Sequence, residues 1–417
     1  MRYHHVSPRI GLAWDPFSDG KTSIRAAFGV FYGSLSGNNW NQPSNFEPFA
    51  TRLKFTNTGS GKFATGGSLS DPYRGLAGGD PFPYDGSYTP GGGILGIATD
   101  FQWPYTYQTN LSVQRQITND TSVAVAYVGS MSHNLPFAQD VNYPAITTSP
   151  VPSTGNVQQR RPNQGFGPVL LVQSNQTASY HGVQFTVTKK MAHHLMVNGY
   201  YTYSKNFNSL ELDNNQTQGG AQNMANLSEE RGRSDIDQRH AVAVSAVWQP
   251  SHSYGGSRAV QAVLNGWSVS PIVRWHSGLP FTISNGADAN LDGTNNDRAQ
   301  LVGDPHLSHP GASEWFNIAA FARNAVVTGA PIDGNSPRNL LDRPGFRTVD
   351  LAIFREFKVR ERYGLEFRAE ATNAFNFVNL SSPGATAPSN PASPGNFGVI
   401  TGAGDMRQLQ LGLRLTF

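Results

Sequence analysis

Apolar and polar residues alternate along much of this chain with a period of two, most regularly at its end. Residues 405–417 read DMRQLQLGLRLTF. Leu409, Leu411, Leu413, Leu415 and Phe417 fall on one side of an extended segment, and Gln408, Gln410, Gly412, Arg414 and Thr416 on the other. Successive side chains of a strand point to opposite faces, so this strand is apolar on one face and polar on the other. Similar rows recur upstream. Val123, Val125 and Tyr127 share a face, as do Val183, Phe185 and Val187, and then Leu195, Val197, Tyr201 and Tyr203. Trp267, Val269, Val273 and Trp275 form another row, and Tyr363, Leu365, Phe367, Ala369 and Ala371 oppose Glu366, Arg368 and Glu370. Two settings suit such strands. A soluble sandwich turns the apolar face into a core, whereas an outer-membrane barrel turns it to lipid and lines its lumen with the polar face.

Alternation and turn residues predict eleven strands, near 8–15, 21–32, 104–116, 121–133, 178–190, 195–206, 237–249, 263–277, 345–357, 362–376 and 405–417. Their connectors separate into two classes. Short ones fall near 16–20, 117–120, 191–194, 250–262 and 358–361. Long ones fall near 33–103, 134–177, 207–236, 278–344 and 376–404. Short and long alternate throughout. Transmembrane barrels have this form, with short periplasmic turns and long extracellular loops. Loops of such length are uncommon inside a compact soluble domain. The expected fold is therefore all-β: an antiparallel transmembrane β-barrel of about eleven strands. The final strand runs inward. Trp103, Tyr105, Tyr107, Trp248, Trp267 and Trp275 lie near strand ends, where aromatic girdles or ordinary packing would place them.

Composition agrees with short strands and polar loops. The 417 residues are 38% hydrophobic, with 44 Gly and 27 Pro, yet aromatics reach 11% and charged residues only 14%, which argues against disorder. A net charge of +3 without a basic run gives no nucleic-acid footprint. No stretch approaches the ~18 apolar residues of a membrane helix. Cysteine is absent. No signal peptide precedes the first strand, and an exported protein needs one, so further N-terminal sequence is expected. Eleven is odd, whereas single-chain bacterial barrels have even strand counts. Half a barrel leaves two edges unsatisfied in lipid, so this chain expressed alone is expected not to insert as a stable monomer.

Several blocks together resemble one family. They are PRIGLAWDP (8–16) with GKTSIRAAFGVFYG (20–33), PYTYQTNLSVQRQITNDTSVAVAYVGSMSHNL (104–135), ASYHGVQFTVTKKMAHHLMVNGYYTYSKNFN (178–208) and RSDIDQRHAVAVSAVWQP (233–250). RYGLEFRAEATNAFNF (362–377) and FGVITGAGDMRQLQLGLRLTF (397–417) complete the set. The chain is similar to the C-terminal barrel portion of an Oar-like TonB-dependent outer-membrane receptor. The resemblance implies a barrel of about 22 strands, of which residues 1–417 would be the second half. It also implies a plug domain, a TonB-contacting segment and often a carboxypeptidase-regulatory-like domain, none of which lies in this sequence. Implied partners are membrane lipid and lipopolysaccharide, the TonB complex through that N-terminal part, and a bulky extracellular ligand of unknown type.

Candidate chemistry is sparse. In DANLDGTNNDRA (288–299), Asp288, Asn290, Asp292 and Gly293 occupy the first, third, fifth and sixth places of a calcium loop. The twelfth place is Ala299 rather than Glu, and Asp297 is the available substitute. A solvated turn explains the same residues. RSDIDQRH (233–240) reads either as a ligand-contacting or metal patch or as a charge network closing the start of a strand. His193 and His194 sit in a predicted periplasmic turn and make a poor chelate. Glu366, Arg368 and Glu370 read as acid–base groups or as paired lumen charges. The glycines of PGGGILG (90–96) read as flexible loop. No nucleophile elbow, zinc-protease motif or phosphate loop occurs, so no enzymatic activity is expected. The leading expectation is an outer-membrane barrel with ligand-binding loops and energised passage through the barrel. The alternatives are a complete small porin, which a twelfth strand within 33–103 or 278–344 would favour, and a secreted soluble β-rich glycan-binding or adhesion protein.

Overall fold

The arrangement comes from a computed structural model. It describes residues 5–35, 41–45, 66–75, 93–210, 221–250, 255–257, 260–261, 265–359 and 363–417. Most of the long connector expected at 33–103 lies outside the described residues, with Gly91 and Gly92 of PGGGILG. So do 211–220, parts of the 250–262 and 358–361 turns, and the first residues of the strands expected at 263–277 and 362–376.

Among the described residues the strands, in chain order, are β1 (Arg9–Trp14), β2 (Thr22–Tyr32), β3 (Ile94–Ile97), β4 (Tyr105–Gln116), β5 (Thr121–Asp140), β6 (Val169–Ala192), β7 (Leu195–Asn208) and β8 (Gly232–Arg233). Then follow β9 (His240–Trp248), β10 (Ser268–His276), β11 (Pro280–Phe281), β12 (Gln300–Leu301), β13 (Phe321–Ala322), β14 (Leu341–Asp342), β15 (Phe346–Val359), β16 (Tyr363–Thr372) and β17 (Gln408–Thr416). The eleven long strands form one meander, β1-β2-β4-β5-β6-β7-β9-β10-β15-β16-β17, with every neighbour antiparallel. These are the eleven strands that the alternation predicts. β1 bonds only to β2 and β17 only to β16, so the sheet is not closed among the described residues.

Register carries the period-two pattern across the whole sheet. Leu413 faces Phe367 and Leu411 faces Ala369, which in turn faces Ile353. Further on, Tyr201 pairs with Phe185, Phe185 with Val125, Val125 with Val113 and Val113 with Ile24. A one-residue slip at any pair would put its apolar row on the polar face. The result is one continuous apolar face and one polar face, with Arg25 opposite Ser112, and Ser112 opposite Ala126. No second sheet of comparable size covers the apolar face among the described residues. That removes the sandwich setting.

The apolar face is edged by aromatic rings at both ends. At the long-connector end Tyr32 meets Tyr105 at 5.8 Å, and Tyr105 stacks on His133 at 5.2 Å. Tyr203 meets His240 at 5.2 Å, and His240 meets Trp275 at 6.0 Å. Tyr127 and Tyr201 share hydrogen bonds with the Nδ1 atoms of His181 and His240, at 2.7 and 2.8 Å. At the short-turn end Trp14 and Trp248 are exposed, and the Arg355 guanidinium lies over the rings of Phe357 and Trp267 at 4.4 and 6.0 Å. Rings with a polar edge suit the boundary between a membrane and water.

Two expectations change. β5 and β6 run well past the predicted ends at 133 and 178, through register shifts between Ser132, Leu135 and Pro136. The extension is held by a small apolar core of Leu35, Leu95, Ala138, Leu170 and Val172. PGGGILG is not simply flexible either, because Ile94–Ile97 forms β3 and pairs parallel with Val169–Val172. The long connectors hold only strands of two to four residues, and none adds a twelfth strand to the meander among the described residues.

Candidate functional site

The polar interactions converge at the long-connector end, above the rim of the sheet. Four connectors meet there, those between β5 and β6, β7 and β9, β10 and β15, and β16 and β17, held by two apolar clusters. Phe137, Leu210, Ala221 and Met224 form one buried cluster. Phe281, Ile283, Phe316, Phe321, Leu341 and Phe397 belong to a larger one, in which Phe316 packs edge-on against Phe397 at 5.1 Å and Phe321 at 5.6 Å. The second cluster joins the connector between β10 and β15 to the one between β16 and β17, pinned by the β11–β14 and β12–β13 pairs.

Between these clusters lies a buried polar junction centred on Gln222, which is fully buried. Its backbone amide donates to Glu230 Oε1 at 2.9 Å and its side-chain amide to the Gly334 carbonyl at 3.0 Å. Its Oε1 accepts from the amides of Arg298 and Gly334. Arg298 Nη1 donates to both oxygens of buried Glu230, at 2.7 and 2.8 Å, and Arg298 Nε donates to the Ser336 carbonyl. A charged pair removed from water holds only when its remaining donors and acceptors are met, as most are here. A second buried pair, Arg161–Asp140 at 2.8 Å, ties the β5–β6 connector to the top of β5. Neither pair was singled out from the sequence. Their partners are 68 and 21 positions apart, and no local motif marks them.

The calcium-like loop sits against this junction. Asp288 Oδ1 accepts from the Asp292 amide at 2.9 Å, and its Oδ2 from the Gly293 amide at 3.0 Å. Asn290 Oδ1 accepts from the Asp292 amide, and Asp292 Oδ1 from the Thr294 amide and hydroxyl. Asp297 folds back over the loop, its Oδ2 accepting from the Ala289 and Asn290 amides at 2.5 and 3.0 Å. Asn290 Nδ2 reaches Asp333 Oδ1 at 3.1 Å, so a fourth carboxylate, missed in the sequence because it lies 43 residues away, joins the group. Gly293 has φ +87°, a left-handed backbone that favours glycine, and a Cβ there would come within 2.8 Å of Val157. Arg160 closes the other side by donating to the Leu291 carbonyl. Burial, with the nearby charges of Asp288 and Asp333, pushes the Asp292 carboxyl up to about 6. Burial, with Asp292 and Asp288 beside it, pushes Asp297 up to about 7 against the backbone amides that bind it.

The other sequence candidates have structural partners. Asp237, fully buried, pairs with Arg233 at 2.7 Å and Arg239 at 3.2 Å, and Arg233 also reaches Asp342 at 2.6 Å. Asp235 accepts from Asn339. RSDIDQRH is thus a charge network closing the start of β9. His193 and His194, both at positive φ, form the tight turn between β6 and β7 and are exposed. Arg368 lies between Glu366 and Glu370 on the polar face, which occupies these carboxylates with an ion pair. Arg274–Asp350, at 2.6 Å, is a further pair on that face. Among the described residues no helix is long and apolar enough to cross a membrane, which says nothing of strands. What this end of the molecule offers is a set of packed, hydrogen-bonded loops over a polar-lined sheet.

No curated protein matches the chain. Solved structures do, at low identity. The outer membrane transporter YddB from Escherichia coli is 11% identical, aligned over 99% of this chain and 40% of its own, with a TM-score of 0.48. The FrpB iron transporter from Neisseria meningitidis is also 11% identical, over 98% of this chain and 39% of its own, with a TM-score of 0.44. The ferripyoverdine receptor of the outer membrane of Pseudomonas aeruginosa is 9% identical, over 98% and 32%, with a TM-score of 0.44. This chain therefore spans about two fifths or less of the length of these structures. The family described as the outer membrane beta barrel domain matches residues 1–410. With eleven antiparallel strands, an uncovered apolar face and loops sorted by length, the chain belongs to that outer membrane beta barrel family, and its place is the outer membrane.

Proposed function

We propose that this chain is the C-terminal barrel portion of an Oar-like TonB-dependent receptor, one that binds a bulky ligand with its long loops and passes it through the barrel. The observation that carries the reading is the division of connectors. Every long one lies at a single end of the meander, and there four of them, between β5 and β6, β7 and β9, β10 and β15, and β16 and β17, pack on one another through buried contacts. A preformed surface of that kind binds without a large ordering cost. The eleven strands supply the polar wall of a passage, and the reading pairs the free edges of β1 and β17 with further strands of the same barrel. A plug and a TonB-contacting segment would belong to that remaining part, which would face the TonB complex across the periplasm. Lipid and lipopolysaccharide would contact the apolar face and its aromatic rim. No chemical step is assigned to the chain.

The test begins with the native protein extracted from outer membranes. Its intact mass should lie well above 45.2 kDa, and it should bind the purified periplasmic domain of TonB. A mature protein of about 45.2 kDa that ignores TonB would overturn the reading and favour a small porin.

A further inference from the structure

The four carboxylates at the loop junction have no cation paired with them. Asp288, Asp292, Asp297 and Asp333 make no ion pair among the described residues, while Arg298 beside them is committed to Glu230. Asp288 and Asp297 are buried, and Asp292 and Asp333 are partly so. Arg160 is the cation that faces Asp288 and Asp292, and its own burial pulls its pKa down. Its guanidinium is hydrogen-bonded to the Leu291, Ala145 and Ser153 carbonyls and to Asn156 rather than to a carboxylate. Burying like charges together is costly unless a cation joins them or they take up protons.

A second observation points to a ligand. Asp297 is 0% exposed, and its Oδ1 is buried with no hydrogen-bond partner, although the other oxygen of the same carboxyl is held by the amides of residues 289 and 290. An unmet carboxylate oxygen is therefore fixed against a loop whose other side chains are oxygen donors. We propose that residues 288–297 form a structural calcium site, with Asp288, Asn290, Asp292 and Asp297 as donors and Asp333 in support. Each carboxylate oxygen has two lone pairs, so the amide bonds within the loop leave acceptor capacity for an ion. Among the described residues no three His, Cys, Asp or Glu side chains form a ready-made cage, so the ion would draw the loop closed and use the Asn290 carboxamide oxygen. The all-oxygen donor set fits a hard cation and disfavours zinc or copper. Calcium suits it better than magnesium, which demands near-ideal octahedral geometry. The twelfth loop position is Ala299, without a bidentate Glu, so the affinity belongs with extracellular modules, at a Kd of about 10⁻⁴–10⁻³ M. The ion would lock the junction of three connectors, because Asn290 also holds the Gln222 carbonyl of the β7–β9 connector and Arg160 of the β5–β6 connector holds the Leu291 carbonyl. This site does not depend on the receptor reading.

The test uses the native outer-membrane protein, freed of lipopolysaccharide, in detergent. Terbium luminescence should rise on binding and be displaced by calcium in the range of about 10⁻⁴–10⁻³ M, but not by the same concentration of magnesium. Asp292→Asn and Asp288→Asn should weaken displacement by about tenfold or more, whereas exposed Asp304→Asn should leave it unchanged. Protease cleavage within 278–344 should slow on adding calcium to the parent, a readout that needs no variant. Absence of calcium-dependent protection in the folded parent at about 10 mM would overturn the site. So would equal displacement by magnesium, or unchanged affinity in a folded Asp292→Asn protein.

Discussion

The sheet and the loop junction above it are stabilised in opposite ways. Along β17, Leu409, Leu411 and Leu413 are 74, 75 and 70% exposed to solvent, whereas Phe316 and Ile283 in the loop cluster are 1% exposed. In the sheet the chain hydrogen-bonds to itself from strand to strand, and the surrounding lipid takes the place of a protein core. In the loops water surrounds the chain, so the connectors must bury their own apolar side chains and satisfy the polar groups that go in with them. A substitution should therefore be judged by the solvent of its region: a new charge is most harmful on the apolar face of the sheet, and a lost partner is most harmful in the loops.

Removing one partner of the buried pair should have the largest effect. Arg298→Met leaves Glu230 buried without its partner, at a cost of about 3–5 kcal/mol. The expected result is fast proteolysis of 209–231 and 278–344 with the sheet still resistant, read by mass spectrometry of the fragments. Phe316→Ala empties the centre of the loop cluster, at about 3–5 kcal/mol with partial collapse of the cavity. It should lower the loop transition in a melting experiment and leave the strand signal in place. If either change unfolds the whole chain, the two regions are not separable and the comparison fails.

On the sheet, Val125→Arg puts a charge among Val113 and Phe185 on the apolar face, at about 2–4 kcal/mol if it lies near the membrane midplane. Gln184→Arg, on the polar face, should cost far less. Folding yields into lipid vesicles, measured by heat-modifiable migration of the native outer-membrane protein, compare the two. Equal yields would mean that the faces have been assigned the wrong way round.

The smallest effect expected is that of pH on the calcium-free loops. Asp292 and Asp297, facing Asp288, Asp333 and Arg160, are shifted up to about 6 and about 7. A carboxyl raised in the folded state binds its proton more tightly there than when unfolded. Its contribution is therefore full below the ordinary carboxylate range and is lost as pH rises through those values. Without calcium, cleavage within 278–344 should be faster at about pH 8 than at about pH 5, and added calcium should reverse the difference. A slope of the opposite sign would show that these carboxyls are not raised.

How much of this was legible beforehand differs between the two regions. All eleven long strands, and the alternation of short and long connectors, could be read from rows such as Val183, Phe185 and Val187. A strand's faces are set by neighbours two positions away, and turn residues mark its ends. The lengths of β5 and β6 were not legible, because their upper parts pair beyond a register shift and pack against the distant Leu35 and Leu95. In the calcium-like loop the spacing of Asp288, Asn290, Asp292 and Gly293 was visible, but Asp333 and the unmet oxygen of Asp297 were not. Gln222, Glu230 and Arg298 carry no local pattern at all.

The sequence alone thus determined the faces, the number of long strands and the end at which the loops gather, since all three follow from period and spacing along the chain. Only the tertiary structure decided which loops touch, which charges are buried together and which oxygen is left without a partner. Those depend on residues as many as 131 positions apart, brought together by the closing of long loops, and no short-range regularity encodes that.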